Sequence, residues 1–136
     1  MERDEVIRVC EAYLLHGLVE REPSKVPLAV EAHRIEQGEL TGRSGADIAE
    51  QLGRKEPKLI ESVQNIRWVV DGAQAVAFYE LRTTFSRVPV RIAERFRVRD
   101  GEIVEIEAVF FQAEEPPADV PVAGRRTRRM SREASA

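Results

Sequence analysis

From residue 88 to residue 98 apolar and polar side chains alternate with a period of two. Val88, Val90, Ile92, Phe96 and Val98 share one face with Glu94, and Pro89, Arg91, Ala93, Arg95 and Arg97 form the other. That period predicts a half-buried β-strand. A lone carboxylate in the middle of an apolar face costs several kcal/mol unless it is protonated or paired. Glu94 therefore either meets a basic residue at a sheet edge or sits in a pocket that raises its pKa.

The rest of the chain can be read by the same test. Residues 4 to about 20 carry Val6, Cys10, Tyr13, Leu14 and Gly17 on one stripe at helical spacing, widened by Val9 and Leu18. Ser24 is placed to cap a short second helix over 25–29, with Pro27 in its first turn. Residues 30–35 read as a short strand or an irregular entry segment, and 36–42, with two glycines, as a turn or loop. Ser44 caps a third helix over 45–52, stopped by Gly53. Residues 60–70 predict a long strand with Ile66, Trp68 and Val70 on one face, and Asp71-Gly72 a hairpin turn. The return strand, 75–85, puts Ala77, Tyr79, Leu81 and Phe85 on one side, the side that pairs with Trp68. The final strand, 102–111, presents Val104, Ile106, Ala108 and Phe110. A three-residue loop at 99–101 with left-handed Gly101 pairs Phe96 with Val104 and Glu94 with Ile106, and sets Arg95 across from Glu105. Helices followed by a long antiparallel meander make an α+β domain: a cone-shaped, curved, mostly antiparallel sheet wrapped around about three N-terminal helices, with a ligand at its mouth.

Composition narrows the class. The chain has 136 residues, 43% hydrophobic and 33% charged, which suits one domain with one core. No window approaches a membrane span. The charged start, Met1 to Glu5, has no apolar signal region behind it, so the expected compartment is the cytoplasm. Cys10 has no second cysteine to pair with, in keeping with that expectation. The net charge of −3 gives no overall attraction for nucleic acid. Residues 113–136 turn rich in proline, alanine and charge and read as a flexible tail, so the domain is expected over 1–112. The run Arg125-Arg126-Thr127-Arg128-Arg129 lacks interleaved aromatic residues and reads as solvated. His16 and His33 lack companions at metal-ligand spacing, and neither a metal nor another cofactor is expected.

The order of elements resembles the nuclear-transport-factor-two-like superfamily, in particular its ketosteroid isomerase-like and SnoaL-like members. The resemblance spans about residues 4–111. It rests on the opening helix with Tyr13, on Ile35-Glu36-Gln37-Gly38-Glu39-Leu40-Thr41-Gly42-Arg43-Ser44-Gly45 leading into a helix, and on Phe96-Arg97-Val98-Arg99-Asp100-Gly101-Glu102-Ile103 running on to Ala108-Val109-Phe110. Ketosteroid isomerases use a carboxylate base before the third helix, a tyrosine on the first helix and a protonated acid on a late strand. The resemblance puts these roles on Glu36, Tyr13 and Glu94. Both acids are glutamates where those enzymes typically have aspartates, and Gln37 stands where they commonly have proline. The resemblance also implies a homodimer.

Three functions follow as expectations. The first is an isomerase or cyclase acting on a hydrophobic carbonyl compound. Glu36 would be the base, Tyr13 and protonated Glu94 the donors to the enolate oxygen, and Trp68, Phe78, Tyr79, Phe96 and Phe110 the walls. The second is an epoxide hydrolase of the limonene type, with Glu36, Glu94 and an inward arginine such as Arg34 or Arg82 around a water. The third is a non-catalytic binding or dimerisation domain in which Glu94 pairs with His33 or Arg34 and the interior is filled.

Overall fold

The protein is described by a computed structural model, in which residues 1–54 and 59–112 are placed. The expected tail, 113–136, lies outside the described residues. Helix α1 (Arg3–Ala12) passes directly into a π-helical segment, Tyr13–Val19. A short 3₁₀ turn, Pro23–Lys25, leads to strands β1 (Leu28–Glu36) and β2 (Glu39–Gly42). Helix α2 (Gly45–Leu52) follows, then β3 (Ile60–Asp71), β4 (Gln74–Thr83), β5 (Val90–Arg99) and β6 (Glu102–Phe111). The six strands form one open mixed sheet in the order β2-β1-β6-β5-β4-β3, in which β1 and β6 run parallel and the other pairs antiparallel.

The core lies between the N-terminal helices and one face of this sheet. The helical stripe Val6, Cys10, Tyr13, Leu14 and Gly17 is buried as its spacing requires. It meets Ala75, Ala77, Tyr79, Phe96, Val98 and Ile106 from the strands. Ser44 caps α2 by accepting a hydrogen bond from the Asp47 amide at 3.0 Å. No helix among the described residues is long and apolar enough to cross a membrane.

Several local expectations are corrected. The helix expected over 25–29 is absent. Pro27 instead offers its carbonyl to the Ile103 amide at 2.8 Å, and the chain is drawn into the parallel ladder beside β6. Among the described residues two α-helices therefore stand where about three were expected. The segment 36–42, expected as a turn or loop, has its turn at Gln37-Gly38 but continues as a strand: Glu36 pairs with Glu39 in a hairpin, and both turn residues have positive φ, 52° and 82°. The β3–β4 turn falls on Gly72-Ala73, one residue later than expected, because Asp71 pairs with Gln74. Strand β4 ends at Thr83 and leaves Phe85 exposed.

The last hairpin has a two-residue turn, Asp100-Gly101, with φ of 53° and 78°. Val98 pairs with Ile103, but Arg97 pairs with Glu105, so Val104 is an extra residue. This β-bulge lets Ile103 and Val104 both go inward and restores the alternation beyond them. Phe96 then faces Ile106, Glu94 faces Ala108 and Arg95 faces Glu107. The expected inner and outer faces hold, while the expected partners shift by two residues along β6.

Candidate active site

The pleat of β5 turns Glu94 inward, where it is 2% exposed. No cation among the described residues is bonded to it. Its Oε1 accepts a hydrogen bond from the Tyr79 hydroxyl at 2.6 Å. Tyr79 comes from the neighbouring strand, where Ala77 is opposite Glu94 and Tyr79 opposite Ile92, so the phenol reaches Glu94 on the diagonal. Burial pushes the Glu94 carboxyl up to about 7; the Tyr79 hydrogen bond holds it down, the Glu36 charge adds to the rise and Arg34 opposes it. Burial raises both Tyr79 and Tyr13, with the Glu94 charge adding to each, so both phenols stay protonated at neutral pH. Burial and then the same charge push the Cys10 thiol up to about 12, which leaves it a small packed side chain.

Tyr13 lies at the first position of the π-helical segment and is 1% exposed. Its ring packs edge-on against Phe96, with centroids 5.6 Å apart. Its hydroxyl oxygen accepts a hydrogen bond from Arg34 Nη1 at 3.1 Å, so its own proton is free to point elsewhere. Arg34, 5% exposed, is the buried cation of the site. Its Nε donates to Thr41 Oγ1 at 3.1 Å and lies 3.7 Å from Glu36 Oε2, and its Nη2 donates to the Thr41 carbonyl and to Gln51 Oε1. Gly42 sits across the ladder from Arg34. A Cβ there would come within 2.5 Å of Ile48 and 3.2 Å of Arg34 Cβ, so this strand position admits no side chain without displacing one of them.

Glu36 ends β1, and the next residue fixes it. The Gln37 side chain clasps the backbone of Phe110, donating to its carbonyl and accepting from its amide, both at 2.9 Å, while the Gln37 amide donates to the Ala108 carbonyl at 3.0 Å. Proline could not stand here, since its ring holds φ near −65° and Gln37 has φ of 52°. The clasp stabilises a left-handed conformation that otherwise costs about 1 kcal/mol or more.

Tyr13, Glu36 and Glu94 line one cavity of about 670 Å³, inside the range usual for small-molecule sites. Its walls are largely aliphatic and aromatic, and no Lys, Arg or His is among the described residues lining it. Tyr79 and Phe110 also line it. The other three expected wall residues do not. Phe96 is fully buried between Tyr13 and Trp68, so both Phe96 and Trp68 serve the packing behind the cavity. Phe78 is on the opposite face of β4, 42% exposed and beside Arg67. Arg82 alternates with the cavity-facing Leu81 and Thr83, and His33 faces outward to Glu105 at 3.3 Å, so neither reaches Glu94. His16 does acquire companions. A left-handed Arg21, φ 59°, brings Glu22 back near His16 and Glu20, with ligand atoms of the three within 4.8 Å of one another. Glu20 and Glu22 are already engaged, with His16 at 2.7 Å and Lys25 at 2.8 Å, and the trio is at the surface away from the cavity lining.

The family model described as "Domain of unknown function (DUF8021)" matches residues 1–110. No curated protein matches the sequence. Among solved structures, a candidate ketosteroid isomerase from Kribbella flavida DSM 17836 is 17% identical, with a TM-score of 0.68 over 84% of this chain and 83% of that one. A Mycobacterium tuberculosis LEH-like epoxide hydrolase is 25% identical, with a TM-score of 0.64 over 79% and 84%. An NTF-2 like protein of unknown function from Burkholderia xenovorans LB400 is 13% identical, with a TM-score of 0.68 over 87% and 91%.

Proposed function

We propose a function from the premise that the chain belongs to the DUF8021 family and has the NTF2-like fold: it is an enzyme that moves a proton on an uncharged, hydrophobic carbonyl compound held in the cavity. The observation that carries this reading is Glu94, buried beside open space with a phenol as its hydrogen-bond partner and no bonded cation among the described residues. An acid that keeps its proton up to about pH 7 can donate to an oxygen on which negative charge develops. With Tyr79 bonded to Oε1, a proton on Oε2 is available to the guest. Tyr13, its oxygen engaged by Arg34, supplies a second donor.

Glu36 is the base in this reading. Its carboxylate takes a proton from the carbon next to the carbonyl. The electron pair moves onto the carbonyl oxygen, where Glu94 and Tyr13 hold it, and the proton returns to another carbon of the same molecule. Arg34 and the Gln37 clasp position the base at the cavity rim. The absence of Lys, Arg and His from the described lining, together with the two carboxyl groups, disfavours an anionic substrate.

The test is turnover of a panel of steroid enones and polyketide-like ketones. Glu36→Gln should lower kcat by about 100-fold or more. Glu94→Gln keeps a donor, so it should retain much of the rate while abolishing the fall in activity above about pH 7. If neither substitution alters any activity found, the roles assigned here are wrong. Epoxide opening is the second reading, favoured by the Arg34–Glu36 pair. Arg34 reaches one carboxylate and not the other, so epoxides join the panel as its alternative arm.

A further inference from the structure

Among the buried side chains, Thr83 stands apart. It is 7% exposed, and its hydroxyl oxygen makes no hydrogen bond among the described residues. Buried polar atoms without a partner are uncommon in folded proteins, and each costs about 1–3 kcal/mol. The local backbone makes no use of this hydroxyl: Thr83 pairs with Ile60 in the ladder, and the Thr84 amide donates to the Leu59 carbonyl at 2.9 Å. Thr83 shares its face of β4 with Tyr79 and Leu81 and lines the same cavity as Tyr13, Glu36 and Glu94.

We infer that Thr83 is a ligand-binding residue, and that the cavity takes a molecule with two uncharged hydrogen-bonding ends, one at Glu94 and Tyr13 and the other at the Thr83 hydroxyl. The inference rests on the reading of the cavity as a small-molecule site and specifies its guest. Thr83 lies four steps along β4 from Tyr79, a rise of about 13 Å, and six steps, about 20 Å, from the level of Ala77, where Glu94 sits across the ladder. The Glu94 carboxyl reaches from that level to the Tyr79 hydroxyl, so, allowing about 2.8 Å for a hydrogen bond at each end, the two polar atoms of the guest are roughly 7 to 14 Å apart. Between them the walls are Leu81, Val90 and Ile92, so the middle of the guest is apolar. A hydroxyl can donate or accept, which suits a carbonyl or an alcohol at that end equally.

The test uses two rigid probes, 5α-androstan-3-one and 5α-androstane-3,17-dione, which share a four-ring body and differ in the second end carbonyl. Binding of each is measured by calorimetry to the unmodified chain, to Thr83→Val, which keeps the shape and removes the hydroxyl, and to Thr83→Ser, which keeps the hydroxyl. The dione should bind the unmodified chain about tenfold more tightly than the monoketone. Thr83→Val should erase that preference by weakening dione binding about tenfold, and Thr83→Ser should restore it. Thr83→Val should also raise the melting temperature of the ligand-free chain, which verifies that the variant is folded. Equal preference in the unmodified chain and Thr83→Val, with monoketone binding still weakened by Tyr13→Phe, overturns the inference and leaves the proposed function standing. Failure of the unmodified chain to bind either ketone overturns both.

Discussion

At the scale of single residues, Glu94 sets both the chemistry and a cost. Its ordinary value is 4.5 and its folded value about 7. Between these pH values the native state holds a proton that the unfolded chain has released. Unfolding then releases a proton, and stability falls as pH rises through the window. At roughly 1.4 kcal/mol per unit the full loss is on the order of 3 kcal/mol. Glu94→Gln removes this dependence and keeps a group that accepts from Tyr79. The variant should match the parent near pH 4.5 and exceed it by a few kcal/mol at pH 8, read from denaturant midpoints. An equal difference at both pH values would remove burial as the source of the shift. Glu94 was legible in the sequence because strand alternation needs no knowledge of any other segment. Tyr79 was legible as an inward residue but not as the partner of Glu94, since that contact depends on the register between β4 and β5. The bonding of Arg34 was hidden for a similar reason. The polar pair His33-Arg34 interrupts the pattern of β1, and only the parallel ladder with β6 decides which of the two goes inward.

At the scale of elements, helix α2 holds the site from behind through Gln51, which bonds Arg34 and also donates to the Thr41 carbonyl at 2.8 Å. The helix can lie this close to β1 because its first residue is Gly45. A Cβ there would be 2.2 Å from the Ala29 carbonyl oxygen, a backbone atom that cannot swing aside. Gly45→Ala should therefore cost about 1–3 kcal/mol of stability, as overpacked positions do. It should also weaken the hold on Arg34, so that any turnover falls while Ala46→Ser, at the next position, has little effect on either. Thermal unfolding of both variants checks it, and an unchanged midpoint for Gly45→Ala would show that α2 moves freely over β1. The capped helix itself was readable from Ser44 and Gly53. The β1–β2 hairpin was not, because a left-handed glutamine is rare and its stabilising clasp comes from Phe110, 73 residues away. The bulge at Val104 was concealed by a plausible alternative: a three-residue loop also brings the faces into agreement. The adjacent pair Ile103-Val104, both apolar just before the alternation of residues 104–108, was the available signal.

At the scale of the whole molecule, the two faces of the sheet impose opposite pH limits. The inner face carries Glu94, whose cost appears as pH rises. The outer face carries a network around Glu105, which meets Arg95 at 3.2 Å, Arg97 at 3.0 Å and His33 at 3.3 Å, while Arg95 also meets Glu107 at 3.1 Å. Hydrogen bonds from Arg95, and then from Arg97, hold the Glu105 carboxyl down at about 2. A depressed acid contributes stability that is complete above its ordinary value and is lost as pH falls toward the folded one. The acid limb should therefore lie between about pH 4.5 and 2, and the alkaline limb between about 4.5 and 7, with the maximum near pH 4.5 to 5. Salt separates the two. The arginines are partly exposed, 30% for Arg95 and 44% for Arg97, so their pairing with Glu105 is screened. The shift of Glu94 comes first from burial, ahead of any charge, and salt does not screen burial. In molar salt, where the screening length is about 3 Å, the acid limb should flatten and the alkaline limb should persist. Unfolding midpoints from pH 2 to 8 at low and molar salt measure both limbs in one series. If salt flattened the alkaline limb instead, the group responsible would be an exposed one. The loss of stability above pH 4.5 could not then be assigned to Glu94.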